Sequence, residues 1–141
     1  MQPSKVYFMN LRTDFDNPLT VKLQRLIRRA GIETIDFADR FVAIKIHFGE
    51  PGNLSFLRPN FARAVVDVIR AKGGRPVLTD CNTLYPGRRK NALDHLDAAA
   101  ENGFSVASTG CQCIIADGLK GLDEKIVPIV GGKHIKEAKI G

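Results

Sequence analysis

Short apolar runs alternate along this chain with stretches whose apolar residues recur every three or four positions. Lys5 to Met9 reads as a first strand, brief and mostly apolar. Pro18 then opens a helix with Asn17 as its cap. Leu19, Leu23, Leu26, Ile27 and Ala30 form its apolar stripe, Lys22, Arg25, Arg28 and Arg29 lie outside it, and Gly31 ends it. Phe41 to Phe48 has the look of a strand buried on both faces. A second helix starts at Arg58-Pro59-Asn60, carries Phe61, Ala62, Val65, Val66, Val68 and Ile69, and stops at Gly73-Gly74. Arg75 to Thr79 is a further strand, a third helix runs from Arg89 or Asn91 to Asn102, and Cys113 to Ala116 is a fourth strand. Lys125 to Val130 and Lys133 to Ile140 read as a hairpin closed by Gly131-Gly132, with Pro128 confined to an edge or a bulge.

Strands alternating with helices imply right-handed crossovers and a parallel sheet. The expected class is α/β: a three-layer, mostly parallel open sheet with helices on both faces and a C-terminal β-hairpin. Residues 1–141 fit a single domain, long enough to bury a real core. Ile140-Gly141 falls within an apparent strand, so the reading here is the N-terminal part of something longer.

Composition narrows the function classes. Hydrophobic residues make up 44% and charged residues 26%, ordinary for a globular protein. The formal charge is +6, but the bases are dispersed and Trp is absent, so a solvated, anion-attracting surface is expected and nucleic acid is not. No apolar run has the length of a membrane span, and no signal-peptide core opens the chain. Three cysteines, an odd number, suit a reducing cytoplasm. Exposed strand edges make homo-oligomerisation an expectation.

Candidate chemistry gathers where parallel sheets bind ligands, beyond the carboxyl ends of the strands. Lys45 and His47 share one face of their strand, opposite Ile44, Ile46 and Phe48. Glu50 and Asn53 follow in a glycine- and proline-rich loop; Asp80, Cys81, Asn82, Thr83 and Tyr85 follow the next strand. Lys45, His47 and Asp80 form the catalytic expectation, with Lys45 as an anion binder or base and His47 as a proton carrier. His47, Glu50 and Asp80 form the metal-ligand expectation. The plainer alternative has Lys45 and His47 pairing with Asp80 and satisfying one another. Glu50, Asn53, Arg58, Cys81, Asn82, Thr83, Tyr85 and Arg88 are the expected ligand contacts. Arg58 is singled out because it precedes a helix N-terminus, and Arg88, Arg89 and Lys90 because bases at that end oppose the helix dipole. The glycines match neither G-x-G-x-x-G nor a P-loop, and Cys111-x-Cys113 matches no redox or zinc spacing.

Ala43 to Asn53, Thr79 to Tyr85, Arg89 to His95 and Ile115 to Leu119 together resemble the domain-of-unknown-function 362 family, along nearly the whole chain. That resemblance implies an uncharacterised iron–sulfur-associated protein, because many members carry a ferredoxin-like cysteine module after the α/β domain. Those cysteines are absent here, so the cluster would belong to a region beyond residue 141 and no cofactor is assignable to this chain. The resulting expectation is a domain that binds a small anionic ligand or metal in redox-linked chemistry. The alternatives are a non-redox acid/base enzyme acting on a small acid, and a binding or assembly domain without chemistry.

Overall fold

Residues 3–141 are described by a computed structural model of the chain. In order they form α1 (Leu19–Arg29), β1 (Phe41–Lys45), α2 (Pro59–Ala71), β2 (Arg75–Asp80), α3 (Ala92–Glu101), a short α4 (Val106–Thr109), β3 (Cys113–Ile115), β4 (Lys125–Pro128) and β5 (Glu137–Ile140). β1, β2 and β3 make a parallel sheet in that order, and β4 and β5 make a separate antiparallel pair. The α/β class is therefore present, with its parallel strands, helices and C-terminal pair.

The register explains where the core lies. Leu78 sits between Ile44 and Cys113. With Ile46, Phe48 and Ile115, these residues meet Ala62 and Val66 of α2 and Ala92 and Ala99 of α3 in one cluster. Both α2 and α3 contribute to this one cluster. Opposite it, Phe41 is 82% and Ile114 45% exposed, and the Arg75 guanidinium lies over the Phe41 ring.

Three local expectations are corrected. Lys5–Met9 is not a strand, and no ladder partner lies beside it among the described residues: Val6 and Phe8 are exposed, and an apolar run alone does not make a strand. Pro18, not Asn17, is the cap of α1, and the Asn17 side chain instead accepts from Arg25. The C-terminal pair is not joined by a two-residue glycine turn. Its ladder ends at Pro128 opposite Glu137, and one further bond from Ile129 N–H to the Lys136 carbonyl closes a longer loop. Proline lacks the N–H that would continue the ladder at 128. By contrast, Asn91 caps α3 by accepting the Asp94 amide, and Pro59 occupies the first turn of α2. Ser105 and Ser108 cap α4 reciprocally, a signal too short to have drawn a helix from sequence.

Candidate functional site

Beyond the carboxyl ends of β1 and β2, two loops are tied together by one arginine. Arg89 is 4% exposed. Its Nε donates to Glu50 Oε1 at 2.7 Å and its Nη1 to Asp80 Oδ2 at 3.3 Å, while Nη2 donates to the Tyr85 hydroxyl. Tyr85 in turn donates to Glu50 at 2.7 Å. The Arg89 carbonyl accepts the Thr83 amide, which folds residues 83–89 back on themselves. Glu50 is delivered by a turn that needs glycine at its start. Gly49 has φ +88°, and a Cβ there would lie 2.5 Å from the Asn102 amide nitrogen and 2.8 Å from the Phe56 ring.

Asp80, at the end of β2, is the other anchor of this cluster. Its Oδ1 accepts from the Cys81 amide at 2.9 Å and from Lys45 Nζ at 2.9 Å. His95 Nε2 stands 3.6 Å from Oδ2, beyond hydrogen-bond reach, with its ring edge-on to Phe48. Burial works to raise the Asp80 pKa, but His95, Lys45 and the Cys81 amide together outweigh it and bring it down to about 2. Hydrogen bonding from Arg89 likewise lowers Glu50, and the bond to Glu50 raises Tyr85.

Both carboxylates have folded-state values below their ordinary ones, so their contribution is present above the unfolded pKa and lost in acid. For Asp80, moving from 3.8 to about 2 corresponds to about 2 kcal/mol. Stability is therefore expected to fall as pH drops from about 4 towards 2. Urea titrations across that range should show the fall in wild type and a flatter dependence in Asp80→Asn. Parallel curves for the two proteins would contradict the assignment.

The remaining candidates divide clearly. Lys45 is brought to Asp80, but His47 is not: its Nδ1 accepts the Gly49 amide at 2.9 Å and the ring is exposed. His47, Glu50 and Asp80 do not converge as metal ligands, because the Arg89 guanidinium occupies the space between the two carboxylates. Among the described residues no three His, Cys, Asp or Glu side chains are grouped to hold a metal ion. Asn53 caps its own loop by accepting the Ser55 amide. Arg58 lines a different cleft, with Leu54, Phe56 and Asn60 at the start of α2. Arg88 points outward to Glu101, at 2.6 Å.

Cys81, Asn82 and Thr83 do share a space, a cleft of about 400 Å³ outside the ends of β2 and β3. Its other walls bring Lys90, Lys120, Lys139, Asp117 and Glu124. Lys139 lies 3.5 Å from Glu124. Neither Lys90 nor Lys120 has an ion-pair partner among the described residues. Asp117 is buried beneath them and accepts the Asn82 amide and Asn82 Nδ2. Burial, then Asp117 and Asp80, push the Cys81 thiol up, which disfavours the thiolate.

Sequence reasoning missed Arg89 as the organising residue, and also Lys120 and Lys139 as cleft residues. Arg89 had a signal: it lies two residues before the Asn91 cap and directly follows Arg88, but nothing local says which of the two turns inward. Lys120 and Lys139 come from segments that only the folded chain brings near Asn82.

Fold and site together define a parallel α/β domain with a polar cleft at its strand ends. The family model described as "Domain of unknown function (DUF362)" matches residues 42–141, and the chain belongs to that family. No curated protein and no solved structure matches it. The iron–sulfur cluster implied by the resemblance does not fit the cysteines present. Cys111 is buried, Cys113 is pushed up to about 11 by burial and by Cys111, and Cys81 lies in the cleft. Among the described residues no helix is long and apolar enough to cross a membrane.

Proposed function

We propose that this chain binds a small anionic ligand in the cleft beyond the carboxyl ends of β2 and β3. The observation that carries the reading is the pair of lysines, Lys90 and Lys120, which line a cleft of about 400 Å³ without ion-pair partners among the described residues. The place is where open parallel sheets bind ligands, and the size suits a small molecule. A net charge of +6 adds long-range attraction for anions.

The other readings draw less support from the geometry. A metal held by His47, Glu50 and Asp80 would have to displace Arg89 from both carboxylates. Acid/base catalysis by Lys45 and His47 would require partners other than those they have, Asp80 and the Gly49 amide. In a redox-linked role, the cleft would present its anion to an electron carrier that Cys81, Cys111 and Cys113 do not themselves supply.

Calorimetric titration with inorganic phosphate and with succinate tests the reading. Wild type is expected to bind, and a Lys90→Ala/Lys120→Ala double variant to bind about tenfold more weakly or worse, the scale of losing charged hydrogen-bond donors. Arg58→Ala, in the other cleft, should bind as wild type does. A double variant that binds both anions with wild-type affinity, while giving an unchanged circular dichroism spectrum, would refute the site.

A further inference from the structure

The cleft is polar in a directional way. Among its lining residues Lys90 and Lys120 are exposed, whereas Asp117 is buried and forms its floor. Asp117, 7% exposed, has no cation within ion-pair distance among the described residues, and only Asn82 donates to its carboxylate. Both partners of Asn82 Nδ2, the Asp117 carboxylate and the Gly118 carbonyl, are acceptors, so the orientation of the amide is fixed. Asn82 Oδ1 is left buried with no hydrogen-bond partner. Buried acceptors without donors are costly, and a carboxylate without a cation costs more. Gly121, at φ +72°, keeps this floor clear: a Cβ there would lie 3.0 Å from Asp117 Oδ2.

Resting on the anion reading above, we infer that the ligand is dipolar: a small amino acid whose carboxylate meets Lys90 and Lys120 and whose ammonium faces the Asp117 carboxylate. A simple anion satisfies the rim and leaves the floor as it was. An ammonium supplies three donors and a positive charge to the side of the cleft that lacks both. Glu124 does not compete for that role, because it is engaged with Lys139 on the hairpin wall.

The test compares ligands that differ only at the amino group. L-aspartate, succinate and N-acetyl-L-aspartate are titrated into the full chain by calorimetry under one buffer and salt. L-aspartate is expected to bind about tenfold or more tightly than the other two, the scale of hydrogen bonds to a charged group. Asp117→Asn should remove that preference while leaving succinate bound. The ligand comparison on wild type stands alone if this buried substitution impairs folding. Succinate binding as well as L-aspartate overturns the dipolar inference and leaves the anion site standing. Binding of none of the three overturns both.

Discussion

Replacing Arg89 with methionine is expected to cost about 3 kcal/mol or more of folding stability, the scale seen when one member of a buried ion cluster is removed. The side chain fills its place with little exposure, and two carboxylates and a tyrosine hydroxyl converge on it. Methionine retains much of the volume but strips the charge between Glu50 and Asp80. Asp80 keeps Lys45 and the Cys81 amide, so the loss is a fraction of full charge burial. In urea, the midpoint should fall by about 1–2 M for a domain of this size. Arg88→Met is the control. Arg88 meets Glu101 across an exposed surface, where such pairs contribute about 1 kcal/mol or less. Equal losses at 88 and 89 would show that the guanidinium between the two carboxylates is not the organising contact.

The second large effect is expected at Phe48, which is fully buried. Its ring meets His95 at 5.8 Å and Phe104 at 5.2 Å, both edge-on. Its carbonyl accepts from Asn102 at 2.9 Å, which fixes the backbone entering the Gly49–Glu50 turn. Phe48→Ala removes an aromatic side chain from the middle of the cluster shared by β1, α2 and α3, and losses of about 3–5 kcal/mol are usual for such truncations. That is a large part of the roughly 5–15 kcal/mol that holds a domain together. Chemical denaturation should show the loss, and Glu50 should release Arg89 more readily because the turn that delivers it loses its base. A loss below about 1 kcal/mol would mean that the cluster collapses around the gap or does not hold the turn.

Much of this architecture is written locally. Leu19 to Arg29, Pro59 to Ala71 and Ala92 to Glu101 have helical periodicity and glycines just past their ends, so their bounds are legible to within a residue or two. β2 is legible as well, since Arg75 to Asp80 is short, apolar and followed by turn residues. What depends on partners is not. Lys5–Met9 has strand composition but pairs with no strand among the described residues, and the β1-β2-β3 order is a matter of partners that sequence does not display. The site shows the same division. Lys45 and Asp80 can be anticipated as a pair because both stand at strand ends, and they meet at 2.9 Å. His47 lies on the same face as Lys45, yet a hydrogen bond within its own loop claims its Nδ1. Lys90 is marked in sequence only by its place at a helix start, Lys120 and Lys139 are ordinary in context, and only the folded chain gives the three a common cleft around Asn82.

The central claim is that an anion enters that cleft, and backbone amide chemical-shift mapping tests it most directly. With succinate titrated into isotopically labelled protein, saturable shifts should concentrate at Cys81–Thr83, Lys90 and the 117–124 loop, while the amides around Arg58 at the start of α2 stay still. Shifts that never saturate, or that centre on Arg58 and Asn60, would contradict the account.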